Sequence, residues 1–218
     1  MITKYGYSTV GVISIISFIL IASSFFISAM PVRVILIALA VLMMVFTLNF
    51  FRDPERTSPI DETAVLSPAD GRVLFVKEVD DHKYVNGKAK QVSVFMSPLN
   101  VHVNRIPIDG TIEIAKHVEG EYLVAYDDKA SEKNERSEIG ISSKLGKVFF
   151  TQVAGFVARR IVFELNVGDS VTAGNRFGMI KFGSRVDVIV PHECEVLVKK
   201  DEIVRAGETI LFKFPRKN

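Results

Sequence analysis

Arg176-Phe177-Gly178-Met179-Ile180-Lys181-Phe182-Gly183-Ser184-Arg185-Val186-Asp187-Val188-Ile189-Val190-Pro191 reads as two short strands that meet at a Gly-Ser step. The apolar runs are Arg176 to Ile180 and Val188 to Pro191, and Lys181 to Asp187 lies between them. Glycine has no Cβ and tolerates unusual backbone angles, so the bond before Ser184 is the least hindered kind at which a hydroxyl can attack the preceding carbonyl. Attack by Ser184 Oγ on the Gly183 carbonyl would convert an amide to an ester. Most Gly-Ser dipeptides are nothing more than turns, so the surrounding chain has to decide between the two readings.

The runs on either side of this stretch predict a mainly β domain. Short β-branched segments recur at Val73 to Val79, Gln91 to Met96, Gly110 to Ala115, Lys147 to Val153 and Ala158 to Leu165. Turn pairs punctuate them at Asp70-Gly71, Asn86-Gly87, Asp109-Gly110, Gly168-Asp169 and Gly207-Glu208. Ser97 to Asn100 and Tyr122 to Ala125 are the stretches compatible with short helices. Ser67 to Val73, Val167 to Gly174 and Val204 to Glu208 share a strand, tight turn, strand pattern similar to the barrel-sandwich hybrid of biotinyl and lipoyl domains. A β-sandwich with such elements is the expected fold.

The N-terminal quarter is of another kind. Ser8 to Met30 is apolar and uncharged, and Val34 to Phe51 is apolar again, with Pro31 and Arg33 between them. Each run has about the 20 residues that a membrane-spanning helix needs. A cleaved signal peptide competes for the first run, since Lys4 precedes it and Ser28-Ala29 close it, but the second run argues for a helical hairpin. Lys4, Arg52 and Arg56 flank the hairpin against the single Arg33 within it, which favours a cytoplasmic main domain at the cell membrane. The expected division is residues 1–52 for the hairpin and 53–218 for the main domain.

Composition closes off other classes. The 218 residues are 48% apolar with a net charge of +2, and no basic tract interleaves with aromatics, so nucleic acid is not an expected partner. The single cysteine, Cys194, rules out an internal disulfide and reads as a small core residue. No His/Cys spacing argues for a metal. Of the four histidines, His82, His117 and His192 lie in surface-like polar or turn settings. His102 lies in the apolar run Met96 to Pro107 with no solvating charges nearby.

Phe182-Gly183-Ser184-Arg185-Val186-Asp187 strongly resembles the cleavage site of phosphatidylserine decarboxylase proenzymes, many of which read L-G-S-T here. Phe50-Phe51-Arg52-Asp53-Pro54-Glu55-Arg56, Asn134-Glu135-Arg136 and Gln152 to Ile161 are similar to stretches of that family's short bacterial form. The segment from Ser97-Pro98 to His102 resembles its S-P-x-x-x-H motif, and Pro68-Ala69-Asp70-Gly71 its P-x-D-G motif. The resemblance runs from Phe50 to about Pro191, with the motifs in the family's order.

It implies that Ser184 attacks Gly183, that β-elimination and hydrolysis with loss of ammonia leave a pyruvoyl group on Ser184, and that a β chain 1–183 and an α chain 184–218 form a heterodimer. The pyruvoyl carbonyl, the implied cofactor, would form a Schiff base with the lipid substrate phosphatidylserine and accept the electrons released as carbon dioxide leaves, giving phosphatidylethanolamine. His102 would be the base, with Asp70 orienting it and stabilising its imidazolium form. Many longer members carry a second histidine where this chain has Arg105, which leaves open whether His102 serves both self-cleavage and decarboxylation. One of Arg159 and Arg160 could face the site and pair with a carboxylate or phosphodiester, or both could line a solvated face.

Three other readings compete. Asp128-Lys129-Ala130 matches the D-K-A of a lipoyl or biotinyl carrier, but it leads into Ser131 to Arg136, a solvated polar run, rather than a carrier strand. A membrane-anchored β scaffold without chemistry is a second. A pyruvoyl enzyme acting on a soluble amino acid is the third, and the hairpin argues against it.

Overall fold

The computed structural model describes residues 1–81, 83–121, 133–155, 160–181 and 184–216. The chain divides into two compact units, Met1–Glu55 and Arg56–Asn218. In the first, a 3-10 turn at Lys4–Gly6 leads into α1 (Tyr7–Ser24), and α2 follows at Met30–Phe50. Both helices are long and apolar enough to cross a membrane, with mean hydropathies of 1.8 and 2.5. The helices do not follow the apolar runs residue for residue. The first stops at Ser24, and Pro31 and Arg33 belong to the first turn of α2 rather than to the loop. Proline lacks an N–H, which costs nothing in the first helical turn, where that donor has no helical acceptor.

The second unit is built mainly of strands: β1 (Ala64–Leu66), β2 (Gly71–Asp81), β3 (Gly87–Met96), β4 (Val103–Arg105), β5 (Gly110–Val118), β6 (Arg136–Ser142), β7 (Lys147–Ala154), β8 (Arg160–Phe163), β9 (Ser170–Val171), β10 (Arg176–Lys181), β11 (Ser184–Pro191), β12 (Glu195–Val196), β13 (Ile203–Val204) and β14 (Ile210–Lys213). An eight-stranded sheet runs β13-β2-β3-β11-β7-β6-β5-β9, and two three-stranded sheets run β4-β10-β8 and β1-β14-β12. The mainly β expectation therefore holds. Ser97 to Asn100 is a turn closed by Asn100 N–H on the Ser97 carbonyl at 2.9 Å, not a helix. Tyr122 to Ala125 lies outside the described residues.

β11 is the central strand. It pairs antiparallel with β3 from Ser184↔Met96 to Pro191↔Ala89 and with β7 from Ser184↔Ala154 to Ile189↔Phe149. Val186, Val188 and Val190 are fully buried with Val94, Ile139 and Phe150 in one apolar core. The opposite face of the same strand is buried too, but polar. Arg185 lies within 3.0 Å of Asp187, Ser93 Oγ donates to Asp187, and the Arg185 guanidinium lies 5.4 Å from the centre of the Phe75 ring. The strand keeps the polar and apolar alternation of a half-exposed strand in Arg185-Val186-Asp187-Val188, although neither face meets water.

Two glycines are fixed by approach or conformation. A Cβ on Gly71 would lie 2.0 Å from the Phe95 carbonyl oxygen, so β2 can cross β3 only with glycine there. Gly207 has φ of +73° and packs against Gly174, and its N–H donates to the Ser67 carbonyl at 2.8 Å. The three turn stretches grouped by pattern in the sequence thus meet in space.

Candidate active site

β10 pairs with β4 and β8 in one sheet and β11 with β3 and β7 in another, so the strands before and after the Gly-Ser step are not paired with each other. Gly183 lies outside the described residues. Ser184 opens the central strand, flanked by the buried Met96 and Ala154.

The strand β3 that ends at Met96 leads through the Ser97-Pro98 turn to His102. Asn100 Oδ1 accepts from the Ser97 N–H and from Ser97 Oγ, each at 2.8 Å, which locks the turn. The Asn100 carbonyl then meets His102 Nδ1 at 3.0 Å. A carbonyl can only accept, so in the neutral ring Nδ1 carries the proton and Nε2 is the basic nitrogen. His102 is fully buried, and its own carbonyl accepts from Ile180 N–H at 3.3 Å, beside the segment that runs into Gly183. The S-P-x-x-x-H pattern therefore has a local cause: serine and asparagine shape the carbonyl that sets the tautomer.

Asp70 is buried as well, but no hydrogen bond joins it to His102. Its Oδ2 accepts from Arg56 Nη2 at 2.7 Å and its Oδ1 from Ala206 N–H at 2.8 Å. The orienting contact on His102 Nδ1 that the resemblance implied for Asp70 is made by the Asn100 carbonyl. Asp70 is tied to the histidine segment through its loop, since the Pro68 carbonyl accepts from Arg105 N–H at 3.0 Å and from Asn104 Nδ2 at 3.2 Å.

A buried polar chain continues from there. Gln152 Nε2 donates to Asn104 Oδ1 at 2.9 Å, and Ser137 Oγ donates to Gln152 Oε1 at 2.9 Å. Asn134 Nδ2 donates to the carbonyl of Ala154, the residue paired with Ser184, at 2.7 Å. Asn134 and Glu135 are buried, which corrects the solvated reading of that run. Their short polar side chains resemble a loop in sequence, and only strand pairing shows what they satisfy. Arg56 was likewise legible only as a juxtamembrane charge, though the F-F-R-D-P-E-R motif was the signal that it does more.

Arg105, at the position of the second histidine in longer members, donates from Nη1 to the Gly174 carbonyl at 2.8 Å. Of the other histidines, His117 is partly exposed and 3.4 Å from Glu135, and His192 is partly exposed in its turn. Cys194 is fully buried, and burial pushes its thiol up to about 12. His82, Lys129 and Arg159 lie outside the described residues.

Comparison with known proteins agrees with these motifs. The family model described as phosphatidylserine decarboxylase matches residues 43–212. The chain is 47% identical over 214 residues to a phosphatidylserine decarboxylase proenzyme of Chlorobium limicola, covering 98% of this chain and all of that one. It is 52% identical over 183 residues to that of Salinibacter ruber, covering 83% and 81%, and 46% identical over 216 residues to that of Chlorobium phaeobacteroides, covering 98% and 100%. With matches of this extent across both the helical hairpin and the strand unit, the chain belongs to the phosphatidylserine decarboxylase family.

Proposed function

We propose that this chain is a proenzyme that cuts itself between Gly183 and Ser184 and, once processed, decarboxylates phosphatidylserine to phosphatidylethanolamine. The observation that carries the reading is that the strands on either side of the Gly-Ser step belong to different sheets, with Ser184 at the head of the central strand and Ile180 of the preceding strand bonded to the His102 carbonyl. A plain hairpin turn would join two paired strands, and β10 and β11 are not paired.

Self-cleavage needs a base, because a serine hydroxyl is a weak nucleophile at neutral pH. His102 Nε2 takes the Ser184 proton, Oγ attacks the Gly183 carbonyl carbon, and the C–N bond breaks to give an ester. Loss of the Ser184 α-proton with departure of the Gly183 carboxylate leaves dehydroalanine, which hydrolyses with loss of ammonia. Asp70 supports this step through the loop whose Pro68 carbonyl holds Asn104 and Arg105. The products are a β chain 1–183 and an α chain 184–218, which stay joined because β11 is laddered on both edges and β14 pairs with β1.

A pyruvoyl group at position 184 supplies an electron-withdrawing carbonyl for amino-acid decarboxylation, a capacity no ordinary side chain has. The residues around it fit that group, since a new terminus at 184 is fixed by two neighbouring strands and by the buried Arg185–Asp187 pair. With Arg105 engaged at Gly174, His102 is the histidine that holds the proton delivered to the product carbon. The hairpin keeps the unit at the membrane, on its cytoplasmic side, where the lipid is locally concentrated.

Denaturing electrophoresis and mass analysis of purified protein test the reading. The wild type is expected as fragments 1–183 and 184–218, the smaller with a blocked N-terminus, and Ser184→Ala as one inactive chain. Borohydride added with phosphatidylserine is expected to fix the lipid amine on the fragment that begins at 184. An adduct on a lysine such as Lys181 would refute the pyruvoyl assignment, and a Ser184→Ala chain still cut at that bond would refute self-cleavage.

A further inference from the structure

Buried polar side chains bridge the sheet that holds Ser184 and the sheet that the His102 segment enters. Asn104 lies in β4, Gln152 in β7 and Ser137 in β6, and all are fully buried. Their hydrogen bonds form one directed chain. The Pro68 carbonyl can only accept, so Asn104 turns Nδ2 toward it at 3.2 Å and presents Oδ1 to Gln152. Gln152 must then offer Nε2, at 2.9 Å, which leaves its Oε1 for the Ser137 hydroxyl at 2.9 Å. Ser137 Oγ accepts in turn from the Gln152 N–H at 3.2 Å, so a main-chain group fixes the sense of the chain at each end.

The chain stands next to the reacting residues on both sides. Asn104 follows His102 by two residues, and Gln152 precedes Ala154, a strand partner of Ser184, by two. Residues two apart in extended chain share a face and stand about 7 Å apart. Asn104 Nδ2 also lies 3.8 Å from the sulfur of Met96, the strand partner of Ser184 on its other edge. The bond between Asn104 and Gln152 thus ties β4, of a three-stranded sheet, to β7, of the eight-stranded one. Resting on the function proposed above, we propose that Asn104 and Gln152 are positioning residues, whose bond sets the offset between the His102 segment and the head of β11 that self-cleavage and decarboxylation require.

Stability alone does not call for such a pair. Exchanging both partners of a buried hydrogen bond for apolar groups of the same shape is close to neutral. What an apolar contact lacks is direction, since hydrophobic burial is non-directional. A hydrogen bond weakens steeply as its angle falls, so a chain of them holds the two sheets at one offset. The chemistry is sensitive to that offset, because a misplacement of about 1 Å can cost on the order of a hundredfold in rate. Neither amide titrates, so both act through the residues they hold rather than as acids or bases.

The test follows self-cleavage of newly synthesised full-length chain by pulse–chase and denaturing electrophoresis, alongside urea midpoints in a Ser184→Ala background. Asn104→Leu combined with Gln152→Met replaces both amides by apolar groups of similar shape, and the Pro68 carbonyl keeps the Arg105 N–H. This variant is expected to hold the wild-type midpoint while its self-cleavage slows about a hundredfold. In the fraction that matures, kcat per carbonyl-reactive site should fall with KM unchanged, as for a loss felt only in the transition state. Asn104→Gln combined with Gln152→Asn keeps the combined length and the donor–acceptor sense of the pair, and should cleave about tenfold faster than the apolar variant. A folded apolar variant that cuts itself at the wild-type rate would overturn the role, as would losses that simply follow the urea midpoint across the set. If the apolar variant fails to fold, the exchange variant decides: cleavage no faster than in Gln152→Met alone would overturn the role equally. Wild type that stays whole would sink the self-cleavage reading itself, an outcome distinct from wild type and variants cutting alike.

Discussion

Removing Asp70 should damage the protein chiefly by stranding Arg56. The Arg56 side chain is 7% exposed and 2.7 Å from Asp70, with Glu208 a weaker partner at 3.8 Å. Breaking a buried pair by deleting one member costs about 3–5 kcal/mol. The residual Glu208 contact places Asp70→Ala near the lower end, about 3 kcal/mol, including the loss at Ala206 N–H. Asp70→Ala combined with Arg56→Met removes the stranded charge and should cost only about 1–2 kcal/mol, the share of the unsatisfied Ala206 groups. Urea unfolding in detergent, followed by circular dichroism in a Ser184→Ala background, keeps every chain uncut. With a slope of roughly 2 kcal/mol per molar, the single variant should shift the midpoint by about 1.5 M and the double by about 0.5–1 M. In chains that retain Ser184, the double variant should recover much of the self-cleavage that Asp70→Ala loses. A double variant as unstable as the single would refute the pairing argument. Recovered stability with cleavage still absent would refute the positioning role and give the carboxylate a direct part at His102.

Glu138 is ringed by Lys83, Lys116 and Arg136 at 2.6, 3.0 and 2.9 Å. Burial pushes its pKa up, but the three cations outweigh it and bring it from 4.5 down to about 2. A lowered folded-state value means stability fully present above the unfolded value of 4.5 and lost as pH falls toward 2, so urea midpoints should drop between pH 6 and pH 3 less steeply in Glu138→Gln than in wild type. Parallel profiles would refute it. Gly71→Ala forces a methyl toward the Phe95 carbonyl and should cost about 3 kcal/mol and slow self-cleavage, since β2 carries the Asp70 loop. An unshifted urea midpoint would show that the close approach is not needed.

Periodicity and punctuation in the sequence determined that two apolar helices precede a β unit, because helix length and strand alternation are local properties. Most long strands, β2, β3, β5 and β7, were legible in this way, though their ends extend beyond the apolar residues. The Gly-Ser step and the serine-proline-histidine run were legible as motifs. Short strands such as β1, β9, β12 and β13 were not, since two or three residues carry no period and exist only through their partners. β6 hid for a different reason: Ser137 and Glu138 look solvated in sequence, yet they are buried because Gln152, Lys83, Lys116 and Arg136 satisfy them. Only the tertiary structure decided that β10 and β11 part into separate sheets, that Asp70 meets Arg56, and that a backbone carbonyl sets the His102 tautomer. Each depends on groups distant in sequence or on the direction of a main-chain dipole, and residue type encodes neither.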